Sequence, residues 1–360
     1  MISTLVFIIT LGILIIVHEF GHFIAAKRLG VRIEKFSLGF GPKIFKKNIG
    51  GTDYILSLIP LGGYVKMAGD SLEDFKNKED EFLSLAPGKR AKIIAAGPLL
   101  NYVLAFFCFW VVFFIGYPTL TNKVGELIEN FPAKTAGVLA GDKIIMVDTH
   151  PVKYWDEISE IIHNKKHEPV ELLIIRNKLP RRLKIYPKLQ KTKNIFGKEI
   201  TISLIGIRPS EEVIKVRYGL FASLFLGSKR LVDLTGLTLR GVWYIITGSL
   251  PLRESVTGPL GIFSILSEAA HLGLSILINV IGILSMSLAI FNLFPLPVLD
   301  GGHIFLLLVE RIRGKRFSQK IEDAISQFGL SLLILLAIFI FYNDLVRFGV
   351  FEKVLKFWTR

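Results

Sequence analysis

The residues best suited to chemistry are His18, Glu19 and His22, which share one helical turn in His18-Glu19-Phe20-Gly21-His22. On a helix, positions i and i+4 point the same way, so both imidazoles can reach one metal ion. Glu19, beside the first imidazole, can take a proton from a water that the ion has made more acidic. This is the donor set of zinc-dependent hydrolysis. Short patterns arise by chance, and here the setting supplies the weight. Residues 2–17, which lead into the motif, carry no charge. Ionisable groups on a membrane-spanning helix are expensive, about 2.5–3.5 kcal/mol for a central charge on the mildest scales. Histidines buried for packing alone would carry that cost with nothing to offset it.

A zinc hydrolase needs a third protein ligand and an open coordination position. The remaining histidines are His150, His163, His167, His271 and His303. His163 and His167 also stand at i and i+4, but lysines lie between them in a polar segment, and they read as solvated. His271 opens an apolar stretch and suits the membrane interface. Asp300 is the leading third ligand, in Asn292-Leu-Phe-Pro295-Leu-Pro297-Val-Leu-Asp300-Gly301-Gly302, with His303 next in line. Pro295 and Pro297 forbid a regular helix there, and Gly301-Gly302 loosens the chain beyond them. A broken membrane helix carrying an acid normally lines a polar cavity. An aspartate in a loop outside the bilayer is the plainer alternative.

These residues need apolar helices to hold them. The chain has 360 residues, 51% of them hydrophobic, and the excess is gathered in blocks. Residues 2–17 (running on to 26), 93–117, 272–294 and 330–342 (within 328–343) each read as a span, for which roughly 20 apolar residues are needed. The net charge of +14 reads as membrane topology, with no nucleic-acid partner expected. Lys27, Arg28, Arg32, Lys35, Lys43, Lys46 and Lys47 follow the first span, and Arg311, Arg313, Lys315, Arg316 and Lys320 separate the third from the fourth. Both loops are therefore expected in the cytoplasm. The long loop between the second and third spans and both termini are then outside. His18 and Lys27 are about 14 Å apart along a helix axis, which puts the motif near the cytoplasmic end. The first span lacks a basic leader and a clean cleavage site, so it is expected to be retained. Cys108 is the only cysteine, which excludes an intrachain disulfide and a multi-cysteine metal site.

The expected organisation is a polytopic α-helical membrane protein with about four spans. Residues 1–29 form the first span, and 30–90 a β-hairpin element and loop on the cytoplasmic side. The hairpin strands, Ile33 to Leu38 and Tyr54 to Ile59, are separated by glycine turns and must lie against protein or at the interface. The second span is 91–117. Residues 121–208 form a small, mostly β, external domain, and 209–270 an amphipathic, interfacial segment. The third span is 271–303, a cytoplasmic loop 304–327, the fourth span 328–345 and a tail 346–360.

Several separated motifs, in order, resemble the site-2 protease family, and most closely its bacterial regulator of sigma E protease branch. They are HEFGH, Gly39-Phe40-Gly41-Pro42, Ala96-Gly97-Pro98-Leu-Leu-Asn101, Thr257-Gly258-Pro259-Leu-Gly261-Ile262 and NLFPLPVLDGG. The resemblance covers nearly the whole chain. It implies one Zn2+ per chain on His18, His22 and Asp300, with Glu19 as the acid/base. It places Asn292, Pro295 and Pro297 at the substrate helix and Gly39, Phe40 and Gly41 beside the active site. The external domain resembles that branch's PDZ domain through Ala136-Gly-Val-Leu-Ala-Gly-Asp142. Some members carry two such domains in tandem, and this chain has room for one. The resemblance further implies a bacterial cytoplasmic (inner) membrane location and cleavage of single-pass transmembrane proteins such as anti-sigma factors or remnant signal peptides. The bilayer and a peptide ligand of the PDZ-like domain are the other implied partners.

Taken on the residues alone, Asn292 suits capture of an unwound substrate backbone, because an amide donates and accepts at once. A packing amide between spans is its alternative role. A transporter would also use broken helices, but no inverted repeat is visible. A non-catalytic scaffold would not need Glu19 or Asp300.

Topology is directly testable by labelling. Cysteines introduced at Lys46 and Arg316 are expected to resist an impermeant thiol reagent applied from outside, and one at Lys165 to react. Labelling of Lys46→Cys from outside would reverse the orientation.

Overall fold

The computed structural model describes residues 2–165, 168–194 and 197–350. Two compact units divide the chain: 1–112, 221–240 and 252–360 form the first, and 113–220 with 241–251 the second. His167 and the tail from 351 onward lie outside the described residues.

The chain opens with α1 (Ile2–Arg28), β1 (Ile33–Ile49), β2 (Thr52–Met67) and α2 (Pro87–Ile115). Next come β3 (Tyr117–Leu120), β4 (Val124–Leu127), α3 (Pro132–Thr135), β5 (Lys143–Val147), β6 (His150–Pro151) and α4 (Trp155–Asn164). Strands β7 (Val170–Arg176), β8 (Leu179–Ile185), β9 (Lys188–Lys193), β10 (Glu199–Leu204), β11 (Ile207–Pro209) and β12 (Val213–Val216) come after them. Helices α5 (Leu220–Ile246), α6 (Leu252–Ser255), α7 (Pro259–Leu272), α8 (Leu274–Asn292), α9 (Asp300–Arg313) and α10 (Gln319–Arg347) complete it. Four of these, α1, α2, α8 and α10, are long and apolar enough to cross a membrane.

In the first unit, α1 buries one stripe, Thr10, Leu14, His18, Gly21, His22 and Ala26, at the three- and four-residue spacing of a single helix face. It ends at Gly30, whose φ of 81° takes the chain into the left-handed region that closes many helices. Along α2 the buried positions Arg90, Ile93, Gly97, Asn101, Ala105 and Phe109 repeat that spacing. Phe23, Ala26, Val31, Ile33, Phe36 and Ile93 form the core shared by α1, the sheet and α2. A second core, Ala105, Phe109, Leu231, Met286 and Ile290, joins α2, α5 and α8.

The expected hairpin is wider than a simple two-strand element. Phe36 pairs with both Tyr54 and Val65, so the first part of β1 lies between two parts of β2, while Phe45 pairs with Leu56 on the far side. Each strand bends back on itself. The bend falls at Gly39, with φ of 88°, where a Cβ would stand 2.6 Å from the Ile59 carbonyl oxygen.

Other expectations shift in extent. The segment 209–270, expected as one amphipathic stretch, holds α5, α6 and α7. The expected third span is three pieces: α8 ends at Asn292, an irregular segment comes next, and α9 begins at Asp300 and continues to Arg313 inside the expected loop. The fourth helix starts earlier, at Gln319 behind Ser318. Gly301 and Gly302 do not loosen the chain. They form the first turn of α9, and a Cβ at Gly301 would stand 2.3 Å from the Leu293 carbonyl, so glycine permits close packing there.

Charged groups tie this unit together at two points. Arg90 of α2 reaches Glu310 of α9 at 2.5 Å, with both side chains buried. Asp344 of α10, fully buried, accepts hydrogen bonds from the amides of Gly258, Leu260 and Gly261 at 3.1, 2.9 and 3.1 Å. It thus caps α7 from another helix, a carboxylate at the positive end of the helix dipole.

The second unit holds a four-stranded antiparallel sheet in the order β6-β5-β7-β8. Ile158 and Ile162 of α4 pack on it through Val147, Leu172 and Ile174. Asp142 is buried beneath Arg176, whose guanidinium donates to both carboxylate oxygens at 2.7 Å. Burial pushes the Asp142 carboxyl up, but Arg176 and the Leu139 amide outweigh it and hold the group below the usual carboxylate range.

Removing the cross-helix cap tests the first unit. Asp344→Ala strands three amides, two of them buried, and is expected to cost about 2 kcal/mol or more. The check is a lowered thermal unfolding midpoint in detergent; an unchanged midpoint would show that α7 does not depend on the cap.

Candidate metal centre

Four elements bring polar groups to one point in the first unit. α1 carries His18, Glu19 and His22, α9 carries Asp300 at its first residue, α8 ends on Asn292, and α2 supplies a backing of main chain. The Nε2 atoms of His18 and His22 are 3.2 Å apart. Asp300 Oδ2 lies 3.1 Å from His18 Nε2, and Oδ1 lies 3.6 Å from His22 Nε2. Ligands at the usual zinc bond lengths in a tetrahedron stand roughly 3.3–3.5 Å from one another. The imidazole pair stands close to that spacing, and the Asp300 carboxylate meets each imidazole through a different oxygen. One atom from each of the three residues lies within 4.8 Å of the others. The donor types are those of a catalytic zinc.

Hydrogen bonding supports the fit. His22 Nδ1 donates to the Ile93 carbonyl at 3.0 Å, leaving the Nε2 lone pair directed at the centre. Asp300 Oδ2 is buried yet makes no hydrogen bond of normal geometry, despite its closeness to His18. A buried carboxylate oxygen left in that condition is costly unless a cation takes its lone pair. Among the described residues, His18, His22 and Asp300 are the group able to hold a metal ion. His303 is exposed on α9, outside that group.

Main-chain proximity makes the site. A Cβ at Gly21 of α1 would stand 2.2 Å from the Ala96 carbonyl oxygen, so the helices meet backbone to backbone. At Gly97 a Cβ would stand 2.4 Å from His22 Nε2 and 3.0 Å from His18 Cε1. The sheet closes the other side: a Cβ at Gly63 would lie 3.3 Å from Glu19 Cγ. Asn292 Nδ2 approaches His18 Nε2 at 3.5 Å, so this residue stands at the centre itself.

The other expected residues are more dispersed. Pro295 lines an apolar cavity of about 610 Å3 with Ala95, Tyr102, Leu239 and Ile290. Pro297 packs against Gly329 of α10. Gly39, Phe40 and Gly41 belong to the sheet beside Glu19, but their near neighbours are Ile59, Gly62 and Tyr64 rather than the imidazoles. Sequence reasoning missed three contributors: the Ile93 carbonyl, Gly97 and Val298. Val298 has a φ of 75°, unusual for a β-branched residue, two positions before Asp300. The glycine in Ala96-Gly97-Pro98 was the available signal; nothing in the sequence marks a main-chain carbonyl.

Likeness to known proteins decides the family. The profile of Peptidase family M50 matches residues 6–336. The chain belongs to this family, the site-2 proteases. It is a zinc metalloprotease by that membership. The regulator of sigma-E protease RseP of Escherichia coli is 29% identical over 445 aligned positions, covering 95% of this chain and 98% of that protein. A Campylobacter jejuni protein with a provisional zinc metalloprotease name is 32% identical over 343 residues, 94% of this chain and 92% of its own. The zinc metalloprotease RasP of Oceanobacillus iheyensis is 28% identical, with 96% and 99% covered.

Gly97 offers a test that leaves every polar residue in place. Gly97→Ala is expected to displace the imidazoles and lower zinc affinity tenfold or more, on the scale seen when ligand-orienting groups are lost. Zinc content after dialysis against a graded chelator measures it. Wild-type retention would mean that the imidazoles do not depend on this contact.

Proposed function

We propose that this chain is an intramembrane endopeptidase that cleaves single-pass transmembrane proteins. One zinc sits on His18, His22 and Asp300, and Glu19 is the general base. The convergence of two imidazole Nε2 atoms 3.2 Å apart with the Asp300 carboxylate, one oxygen 3.1 Å from His18 and the other 3.6 Å from His22, carries this reading. Zinc, when bound, supplies Lewis-acid chemistry, polarising the scissile carbonyl and making a water acidic enough to release a proton near neutral pH.

Glu19 lies beside the first ligand in sequence and against Gly63 of the sheet. Its carboxylate takes a proton from the attacking water as the oxygen bonds to the carbonyl carbon. It then returns that proton to the amide nitrogen as the carbon–nitrogen bond breaks. A spanning substrate helix hides its carbonyls, so hydrolysis requires local unwinding. The part of β2 near Glu19 can add the unwound segment as a further strand, and the Asn292 amide can hold freed backbone groups. The irregular segment through Pro295 and Pro297 keeps this region from closing into a continuous helix. Its apolar cavity suits a substrate side chain.

Residues 121–208, which fall in the second unit, are a PDZ-like domain outside the cytoplasm that filters substrates, taking a peptide as its ligand. The Escherichia coli relative aligns over 445 positions against 360 residues here, so at least 85 have no counterpart in this chain. A difference of that size fits a filter with one such domain in place of two. The basic loops orient the protein in a bacterial cytoplasmic membrane, with the zinc near the cytoplasmic face. Anti-sigma factors and remnant signal peptides are the substrate classes of this reading.

The mechanism is tested at Glu19. Glu19→Gln is expected to bind zinc as wild type does while cleavage of a transmembrane substrate falls by at least 10²–10⁴-fold. Zinc content and cleavage are measured on the same detergent-purified preparation. Near wild-type cleavage by this variant would exclude the proposed base.

A further inference from the structure

Asn101, on α2, is fully buried, and neither its Oδ1 nor its Nδ2 has a hydrogen-bond partner among the described residues. An amide left so in an apolar helix bundle costs about 1–3 kcal/mol, and packing alone would be served better by leucine or alanine. Three other buried atoms share this condition among the described residues, Asp300 Oδ2, Trp110 Nε1 and His18 Nδ1, and the last of these is a donor or acceptor on the facing helix.

Asn101 and His18 stand at the same level on facing helices. Contacts between α1 and α2 run in opposite senses: the Ile93 carbonyl meets His22, Ala96 meets Gly21, and Gly97 meets His22 and His18. Asn101 is one further turn along the Gly97 face, about 6 Å on. That step carries it from the level of His22 to that of His18. Its main chain is held there, because Ser285 of α8 donates to the Asn101 carbonyl at 2.8 Å.

A histidine that gives Nε2 to a metal carries its proton on Nδ1 and nearly always donates it to an acceptor. His22 does so to Ile93. His18 lacks its equivalent. We propose that Asn101 is the positioning residue for His18, its Oδ1 accepting the Nδ1 proton when the site is loaded. Asn101 then fixes the tautomer and ring orientation of His18 and touches neither substrate nor metal. The inference rests on His18 being a zinc ligand.

The experiment compares zinc affinity, by competition with a chromophoric chelator, in the full-length protein after metal removal. Asn101→Ala is expected to bind zinc about 10–100-fold more weakly, and Asn101→Asp, which keeps an acceptor oxygen, within about threefold of wild type. Asn101→Leu, near in volume and suited to an apolar helix, serves the same comparison if the alanine variant does not fold. Wild-type affinity in Asn101→Ala or Asn101→Leu overturns the proposal. So does equal weakening in Asn101→Asp, which would make the amide a packing element. His18→Ala separates the two levels of inference: if it binds zinc as wild type does, the metal-site reading itself fails. If it loses zinc while Asn101→Ala does not, only the role of Asn101 fails.

Discussion

Everything in the first unit answers to one constraint: polar, ionisable groups must be buried among apolar helices, and each needs a partner. His18 and His22 occupy successive turns of a helix whose only other ionisable side chain before its basic last turn is Glu19. Two imidazoles 3.2 Å apart, with a carboxylate 3.1 Å from one of them, are a poor arrangement for packing and a good one for a divalent cation. The fold delivers Asp300 to that point across some 280 residues of chain by breaking a helix at the depth where the imidazoles lie.

Breaking a helix in a membrane releases backbone groups, and the surrounding structure meets that cost locally. Gly301 and Gly302 let the first turn of α9 sit directly on the main chain of Leu293 and Leu296. The Leu296 amide still finds the Phe294 carbonyl at 2.7 Å. Val298 takes a left-handed conformation to turn the chain, a strain of the kind that persists only where neighbours enforce it. Asp344 solves the same problem for α7 with three amides on one carboxylate.

Helix α2 is the reference surface for the site. Its carbonyl at Ile93 orients one imidazole, its missing side chain at Gly97 makes room for both, and Arg90 holds the far end of α9 through Glu310. These contacts come from one face, repeating every three or four residues. A shift of α2 along its axis would disturb the imidazoles and the helix bearing Asp300 together, so the two halves of the site are coupled through one rigid element.

By itself the sequence determined the features that local spacing and apolar length dictate. The i, i+4 relation of His18 and His22 places both on one helix face whatever the rest of the chain does, and apolar blocks mark the four helices long and apolar enough to cross a membrane. Pro295 and Pro297 announce a break because proline has no amide hydrogen to give. Tertiary structure decided which distant group joins the imidazoles. Asp300 and His303 lie on the same helix three residues apart, and only the packing of α9 against Leu293 and Leu296 brings the first to the centre and leaves the second exposed. It also decided that β1 would pair twice and that Asn292 would stand beside His18. The Ile93 carbonyl became the partner of His22 in the same way. A backbone carbonyl has no sequence signature, and a contact across dozens or hundreds of residues depends on how whole helices cross, which no local periodicity encodes.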